Sequence, residues 1–491
     1  MSIRITKTIG RFTVTEFNYK WLAYMTVATG MVLMVMFETG VNIALPAISD
    51  HFSVDIPTVQ WLTLGFILST SAMFMPMGRL SDMIGRKSVY VGGFVVYIFA
   101  TLIAGTAQTF SLLLVCEIIR GIGAAGIQAN GIAFMVDIFS ERERGKALGF
   151  YMATIGVGAM GGPIIGGVLV NTLGWRSIFF ASIPASFIAM FIAIVILRAG
   201  TKEKSYMKNI KFDWGGACIS SASLISFLLG MTNGYRLGWN SPLVVIAITG
   251  GCVLLALFLW WENRIDDPML DLRFFHMRVF SMGISARALS FLGISSVFFL
   301  MPFYLVQGLG YTASKAGLMI LPSSVLLAVS GPIGGWLSDK IGARIPSVAG
   351  MIVTSVGMFL FADLSVSTSP LYLIVGMAML GFGPGMFSAA NSSAIMSSIS
   401  DDSYGIASGF LNLTRTFATI SGVVMATTIV TLTMVSHGYP PTLIGLSAID
   451  SETATSVFVS GMNKTFLIMG YVTLVGVVLA WLRGEAVNPR T

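Results

Sequence analysis

The stretch Gly78-Arg-Leu-Ser-Asp82-Met-Ile-Gly85-Arg86-Lys87 occurs a second time in the chain, as Gly335-Trp-Leu-Ser-Asp339-Lys-Ile-Gly342-Ala-Arg344. Each copy directly follows a long apolar segment, so the two copies mark equivalent turns after two membrane helices. Two copies on the same side of a membrane indicate parallel repeats related by an axis along the membrane normal. The sequence therefore predicts a chain built from two similar halves.

The composition is that of an integral membrane protein. Of the 491 residues, 55% are hydrophobic and 10% are charged, whereas soluble domains carry roughly 25% charged residues. The apolar runs are continuous over about 20 residues, unlike the alternating segments of about 10 residues in a membrane β-barrel. These features exclude a soluble enzyme, a disordered chain and an outer-membrane porin. The cysteines form no CxxC or Cys/His pattern, so no disulfide framework and no metal site are predicted.

Fourteen apolar segments are long enough to span a bilayer. They cover residues 21–46, 59–78, 88–106, 110–136, 147–170, 177–197, 214–232, 241–261, 280–306, 316–336, 346–362, 370–396, 405–434 and 465–482. Most of the 29 Lys and Arg residues lie on the face that would hold both termini. The positive-inside rule therefore predicts a multi-pass protein of the cytoplasmic (plasma or inner) membrane with both termini in the cytoplasm.

The repeated motif also divides the chain. It follows the second and the tenth segments, whereas a simple six-helix repeat would place the second copy after the eighth. Two helices must therefore have been inserted between the halves. We predict an all-α fold with an N-terminal six-helix lobe over 1–198, a linker with helices seven and eight over 199–278, and a C-terminal six-helix lobe over 279–491, with the substrate path between the lobes.

The residue types of the motif favour a cytoplasmic gate. Gly78 would let a neighbouring backbone approach closely. Asp82 can face a helix N-terminus, and Arg86 can pair with an acid such as Asp137. The same role is predicted for the remaining motif positions, Gly85, Gly335, Asp339 and Arg344. The alternative is a solvated turn whose charges only obey the topology.

Further stretches strengthen a resemblance to one family. They are Asn42-Ile-Ala-Leu-Pro46 after Glu38, Gly158-Ala-Met-Gly161-Gly162-Pro163-Ile-Ile-Gly166-Gly167, Trp175-Arg176, Asp213-Trp-Gly-Gly216, Pro268-Met-Leu-Asp-Leu-Arg-Phe-Phe275 and Gly405-Ile-Ala-Ser-Gly409. Together with the two loop motifs, they resemble the fourteen-helix drug:proton antiporter branch of the major facilitator superfamily, a branch of multidrug exporters. The glycine-rich stretch with Gly158, Gly162, Pro163, Gly166 and Gly167 resembles the antiporter motif of helix five, which in this superfamily marks exporters.

Two glycine-rich stretches, at 121–126 and 156–161, also satisfy the dinucleotide pattern G-x-G-x-x-G. Neither follows a strand or precedes an acid at the required distance, and each lies within a long apolar run. No Walker A sequence occurs, so neither a cofactor nor ATP is predicted. The small residues instead predict helix faces that pack closely, with Pro163 bending helix five at a point where the lobes rock, or with packing as their only role. The family resemblance implies a proton gradient as the energy source.

Five ionisable residues lie inside the predicted spans: Glu38, Glu117, Arg120, Arg287 and Arg415. Each costs ~2.5–3.5 kcal/mol or more at bilayer depth, so we expect proton-coupling or substrate-binding roles for them. Glu38 has no cation within a turn of its helix, and low dielectric favours the neutral form of a carboxyl group. Glu38 is the first candidate for the proton carrier. The alternative is a glutamate that only hydrates a vestibule.

Glu117 and Arg120 are spaced at i and i+3, so they lie on one helix face and can form an ion pair. A proton relay and a structural pair both remain open for them. The resembling branch has Arg-x-x-Gln-Gly here, whereas Glu117 takes the arginine position and Arg120 the glutamine position. Arg287 and Arg415 would pair with Glu38 or Glu117 across the cavity.

The sequence thus predicts a proton-coupled exporter of amphiphilic, cationic or neutral small molecules that works by alternating access. Its partners would be the lipid bilayer, the small amphiphilic substrate and protons, with a periplasmic adaptor if the cell has two membranes. A monomer without nucleic-acid binding is expected. The alternatives are a dedicated exporter of one lipid, siderophore or antibiotic-like metabolite, a membrane-embedded enzyme and a passive channel. The enzyme is disfavoured because His51, His276 and His437 lie near helix ends without metal-ligand spacing.

Overall fold

The computed structural model describes residues 7–9, 12–14, 16–138, 144–197, 213–265, 272–399, 404–440 and 448–484. Within these ranges the chain forms fourteen α-helices: α1 Glu16–Phe52, α2 Ile56–Ile84, α3 Arg86–Gly105, α4 Phe110–Ile138, α5 Arg144–Leu173, α6 Arg176–Ile196, α7 Trp214–Leu237, α8 Pro242–Glu262, α9 Arg278–Phe303, α10 Ala313–Ile341, α11 Arg344–Phe361, α12 Pro370–Ser397, α13 Tyr404–Ser436 and α14 Ala448–Leu482. A 3₁₀ turn, Leu272–His276, precedes α9, and a π-helical turn, Tyr304–Gly308, follows it. The predicted all-α fold class is confirmed. The basic N-terminal segment adds a short antiparallel hairpin of β1 (Lys7–Ile9) and β2 (Phe12–Val14), which its sequence does not predict.

Twelve of the described helices contain a segment long and apolar enough to cross a membrane, and α2 and α7 are not among the twelve. A helix suits a bilayer because it satisfies its backbone donors and acceptors internally. Large apolar side chains such as Phe99, Phe191 and Leu243 are more than half exposed. An apolar surface of this extent marks contact with lipid rather than with water. The predicted multi-pass membrane protein is therefore confirmed.

Two compact units make up the chain. One comprises Met1–Val41 and Gly65–Ile210, and the other comprises Asn42–Leu64 and Lys211–Thr491. In the second unit, α7 and α8 pack against each other, and Ser223 and Ser226 of α7 donate hydrogen bonds to backbone carbonyls of α8. A buried apolar cluster joins α8 to α9, α12 and α13 through Phe258, Phe280, Ile284, Ile395 and Leu411. The pair of α7 and α8 therefore belongs to the packing of the second unit.

The predicted repeat is visible in how helices cross within each unit. In the first unit, a Cβ atom added to Gly93 of α3 would lie 2.8 Å from the carbonyl oxygen of Gly123 in α4. In the second unit, a Cβ atom on Gly350 of α11 would lie 2.6 Å from the carbonyl oxygen of Gly383 in α12. Both distances are too short for a real side chain, so glycine permits both close crossings. Gly350 and Gly383 are thus the structural counterparts of Gly93 and Gly123.

A second crossing repeats in the same way. A Cβ atom on Gly162 of α5 would lie 2.6 Å from the carbonyl oxygen of Met36 in α1. Gly422 of α13 faces the carbonyl oxygen of Leu292 in α9, again too closely for a side chain. Leu292 is therefore the counterpart of Met36, and these two pairs of crossings fix the correspondence between the helices of the two units.

The two copies of the loop motif adopt the same turn. Gly85 between α2 and α3 has φ +95°, and Gly342 between α10 and α11 has φ +84°. Both values lie in the region that favours glycine, which explains a glycine at this place in each copy. The close approach expected at Gly78 is not seen among the described residues and stays a prediction. A Cβ atom at Gly78 or Gly335 would meet nothing within 4 Å, because both residues face open space.

The crossing of α3 and α4 gives a direct test of this packing, because Gly92 and Gly93 are neighbours with different surroundings. We expect Gly93→Ala to destabilise the protein by about 1–3 kcal/mol, since the added methyl group meets backbone atoms of α4. Gly92→Ala is the matched control, because a Cβ atom there meets nothing within 4 Å. Thermal unfolding in detergent measures both. Equal melting temperatures for the two variants would contradict the close crossing.

Candidate functional site

A buried ion pair lies in the middle of α4. The carboxylate of Glu117 accepts a hydrogen bond from Nη1 of Arg120 at 2.5 Å. The two residues are 2% and 1% exposed. Their spacing of three residues brings both side chains to one face of the helix, as predicted. The predicted pair is therefore present in the structure, and each charge offsets part of the desolvation of the other.

Aromatic rings enclose the guanidinium group of Arg120. Its Cζ atom lies 4.9 Å from the ring centre of Tyr97 in α3, 5.2 Å from that of Phe179 in α6 and 5.7 Å from that of Phe66 in α2. The faces of aromatic rings attract cations, and more strongly where water is excluded. The hydroxyl oxygen of Tyr97 also accepts a hydrogen bond from Nη2 of Arg120 at 2.7 Å. Arg120 is thus held by one carboxylate, one hydroxyl group and three rings.

The glycine crossings bring these groups together. Gly93 and Gly123 hold α3 against α4, and Tyr97 lies one helical turn beyond Gly93. A larger residue at either glycine would push the Tyr97 backbone away from α4, since the amide nitrogen of Tyr97 lies 2.7 Å from a Cβ atom built on Gly123. The position of Tyr97 relative to Arg120 therefore depends on this crossing.

Glu38 of α1 is half-buried in the same unit. Its charge acts on Tyr97, as do the charges of Glu117 and Arg120. The next residue, Thr39, packs on Gly162 of α5 and donates a hydrogen bond to the carbonyl oxygen of Val35. The structure therefore brings three of the five predicted site residues, Glu38, Glu117 and Arg120, into the electrostatic range of one tyrosine.

The predicted antiporter motif supplies the face of α5 that packs on α1. A Cβ atom on Gly158 would lie 2.7 Å from the carbonyl oxygen of Val32, and one on Gly166 would lie 2.7 Å from the Cα atom of Gly40. Together with Gly162, these residues form a smooth stripe along α5. The predicted close helix packing is confirmed at these positions. A gating role of the motif stays a prediction.

Arg287 and Arg415 lie in the second unit. Arg287 of α9 is 8% exposed, and its Nε atom donates a hydrogen bond to the carbonyl oxygen of Leu411. Its Nη1 atom donates to the hydroxyl group of Ser392 at 3.2 Å and to that of Ser388 at 3.4 Å. Arg415 of α13 has an exposed side chain, and its like charge acts on Arg287. Arg287 is thus buried among polar groups of its own unit. The pairing of either arginine with Glu38 or Glu117 stays a prediction.

None of the five membrane charges is repeated at its counterpart position. Glu117 and Arg120 lie six and three residues before Gly123, and the residues at the same places before Gly383 are Met377 and Leu380, both buried. The other three counterparts follow from the second crossing, in which Met36 corresponds to Leu292 and Gly162 to Gly422. By this numbering Glu38 corresponds to Ile294, Arg287 to Met31 and Arg415 to Ile155. The same helix packing is thus formed with apolar residues at these places. Packing alone does not explain the charges.

The predicted gating motif is described only in part. The side chains of Asp82, Asp137 and Asp339 lie outside the described residues, so the pairing of Arg86 with Asp137 stays a prediction. In the second copy, the guanidinium group of Arg344 lies 4.0 Å from the ring centre of Trp481 in α14. This contact anchors the turn after α10 to the last helix.

Sequence reasoning missed Arg483 as a residue that holds helices together. The residue is 1% exposed; Nη1 donates to Oδ1 of Asn391 at 2.6 Å, and Nη2 donates to the hydroxyl of Ser347 at 3.4 Å. Asn391 in turn donates to the carbonyl oxygen of Gly283. Burial lowers the pKa of Arg483 to about 10, so the group is charged at neutral pH. Arg483 thus ties the end of α14 to α9, α11 and α12.

Sequence reasoning also missed Tyr97. The residue lies in a continuous apolar run of α3, where a tyrosine by itself does not signal a polar partner. Within the described residues, no group of three or more His, Cys, Asp or Glu side chains that could hold a metal ion is found.

Several curated proteins are similar to this chain over most of its length. The multidrug resistance protein Stp of Mycobacterium tuberculosis is 28% identical over 81% of this chain and 73% of its own length. The riboflavin transporter RibZ of Clostridioides difficile is 28% identical over 94% of this chain and 96% of its own length. The lincomycin resistance protein LmrB of Listeria monocytogenes is 27% identical over 88% of this chain and 89% of its own length.

A solved structure shares the fold at low sequence identity. The inward-facing, unoccupied structure of a bacterial homolog of the human lysosomal transporter Spinster matches with a TM-score of 0.69 and 15% identity, over 95% of this chain and 97% of that one. A peptide transporter of the POT family matches with a TM-score of 0.65 and 15% identity, over 96% and 98%. These matches confirm the all-α fold over nearly the whole chain. They carry no information on the substrate.

The sequence profile of one family matches most of the chain in two copies. The two matches cover residues 27–213 and 214–423. The profile is that of transporters, as are the names of the similar curated proteins, so the interpretation as a transporter rather than an enzyme is confirmed. The chain belongs to the Major Facilitator Superfamily.

Proposed function

We propose that this chain is a proton-coupled antiporter that exports amphiphilic, cationic or neutral drugs across the cytoplasmic membrane by alternating access. The single observation that carries the proposal is the buried group of Glu117, Arg120 and Tyr97, with Glu38 in electrostatic range. Ionisable groups at bilayer depth are costly and are retained where they serve transport. The similarity to proteins named for multidrug and lincomycin resistance supports drugs as the cargo.

The proton chemistry follows from the environments of the two carboxyl groups. Glu117 has a cationic partner at 2.5 Å, which favours its ionised form, whereas Glu38 is half-buried on a different helix, α1. Two carboxyl groups in different environments take up protons at different pH values. In the proposed cycle, Glu38 releases its proton as a cationic drug arrives, and protonation from outside resets it. Competition of drug and proton for one carboxyl group enforces exchange.

The proposed topology has fourteen spans, which adds α2 and α7 to the twelve apolar helices, with both termini in the cytoplasm. Its parts are an N-terminal lobe over 1–198, a linker over 199–278 and a C-terminal lobe over 279–491. The repeated turns at Gly85 and Gly342 support equivalent places for the two loop motifs. We propose that these motifs gate the cytoplasmic side. No cofactor is required, because the proton gradient supplies the energy.

Exchange in proteoliposomes tests the proposed function. We expect the unmodified protein to move a fluorescent lipophilic cation only while a pH gradient is present. Glu38→Gln should abolish the gradient-driven movement, because the amide cannot bind and release a proton. Glu38→Asp is the matched control, since it keeps a titratable carboxyl group and should keep exchange.

The outcome shows whether Glu38 is the proton carrier and also whether the protein is an antiporter or a passive pathway. If Glu38→Gln still exchanges at the unmodified rate, the proton carrier is not Glu38. If the unmodified protein moves the cation at the same rate without a pH gradient, the antiporter proposal is wrong and a passive pathway replaces it.

A second candidate function is the transport of one dedicated molecule. It is favoured by the match to the riboflavin transporter RibZ, which spans 94% of this chain and 96% of that protein. A drug-sensitive host that expresses this chain separates the two candidates. We expect resistance to several unrelated amphiphilic compounds, lost together in Glu38→Gln. Resistance to none of them, together with gradient-dependent riboflavin movement in proteoliposomes, would favour the dedicated transporter.

A further inference from the structure

Tyr97 holds Arg120 in two ways. Its hydroxyl oxygen accepts a hydrogen bond from Nη2 of Arg120 at 2.7 Å, and its ring centre lies 4.9 Å from the guanidinium carbon. A guanidinium group only donates hydrogen bonds, so the hydroxyl group must be the acceptor here and keeps its own proton. Both residues are about 1% exposed, so water does not replace this bond.

The charged and titratable groups near this bond come from few elements. Glu117, Cys116 and Arg120 lie on α4, and Glu38 lies on α1. The described side chains of α2 up to Gly78, and those of α5 from Thr154 to Leu173, include no charged residue. In α6, Arg176 lies at the first residue of the helix and donates to the carbonyl oxygen of Ala107. Among the described residues, one cation and two carboxyl groups therefore act on Tyr97.

Protonation of Glu117 changes which groups stabilise the buried guanidinium charge of Arg120. A neutral carboxyl group no longer offsets the buried guanidinium charge, and a buried charge without an opposite charge is costly. Within the part of the chain that the structure describes, Nε of Arg120 already has no hydrogen-bond partner, so the arginine has no further acceptor on that side. The neutral carboxyl group is a weaker acceptor than the carboxylate, so the hydroxyl oxygen of Tyr97 contributes more to holding Arg120 in this state. This hydrogen bond from Arg120 to Tyr97 lowers the free energy of the state in which Glu117 is protonated.

We propose that Tyr97 is a positioning residue for proton coupling: its hydroxyl group holds Arg120 while Glu117 exchanges a proton, and it thereby sets the pH range of drug–proton exchange. The proposal rests on the proposed antiporter function and adds Glu117 as a second proton-exchanging group beside Glu38. The competing interpretation gives Tyr97 a structural role only, in which its hydroxyl group stabilises the fold without affecting proton exchange.

The test is the pH dependence of exchange by Tyr97→Phe in proteoliposomes at a fixed pH difference. Phenylalanine keeps the ring over the guanidinium group and removes only the acceptor. Without it, protonation of Glu117 leaves Arg120 with only a neutral carboxyl group as hydrogen-bond acceptor, so the proton should bind only at lower pH. A hydrogen bond to a charged group is strong enough to move the midpoint of the profile by about one pH unit toward acid.

Tyr304→Phe is the matched control. Tyr304 is fully buried in the second unit, and its hydroxyl group donates to the carbonyl oxygen of Ser365 at 2.6 Å. The variant loses a buried hydrogen bond of similar length outside the charged group. We expect its pH midpoint to equal that of the unmodified protein. An unmoved midpoint in Tyr97→Phe, or an equal shift in both variants, would overturn the proposal.

A stability measurement keeps the proposal testable if a variant transports poorly. Glu117→Met introduces the residue found at the counterpart position, Met377, and leaves Tyr97 as the acceptor for Arg120. We expect Tyr97→Phe to lower the melting temperature more in the Glu117→Met background than in the unmodified protein. Additive effects would overturn the role of Tyr97 as the remaining acceptor. Absence of gradient-driven movement in the unmodified protein would instead overturn the proposed function, so the two failures are distinguishable.

Discussion

A charge inside a bilayer must find its partners within the protein, and the organisation of the first unit follows from this constraint. Arg120 receives a carboxylate from its own helix, a hydroxyl group from α3 and aromatic faces from three helices. These partners come close enough only because glycine residues let α3 approach α4. The small residues and the buried charges are therefore parts of one arrangement. The glycine crossing sets the distance at which the polar contacts form.

The repeat provides an internal comparison for this arrangement. The second unit forms the same two glycine crossings, yet it places Met377 and Leu380 where the first unit has Glu117 and Arg120. A buried ion pair replaced by apolar residues of similar size is often neutral or favourable for stability. The charges of the first unit are thus additions to a packing scheme that works without them. Arg287 and Arg415 are corresponding additions to the second unit, at other positions.

Much of this could be predicted from the sequence, and the failures have physical reasons. The two copies of the loop motif revealed the repeat, because a left-handed turn requires glycine at Gly85 and Gly342. The i, i+3 spacing revealed the ion pair on α4. The close approach expected at Gly78 is not seen among the described residues, since spacing alone does not show which glycine faces a neighbour. Tyr97 and Arg483 were missed because their partners come from other helices, and the distances between helices are not visible in a sequence.

The central claim is that Glu117 and Arg120 serve proton coupling and are not needed for the fold. The double variant Glu117→Met with Arg120→Leu tests it most directly, because it introduces the residues that the second unit has at the same places. The measurement is drug-driven proton movement in proteoliposomes, with the melting temperature of the same preparation. The account predicts a melting temperature close to that of the unmodified protein and a loss of proton movement. Proton movement at the unmodified rate, or a variant that does not fold, would contradict it.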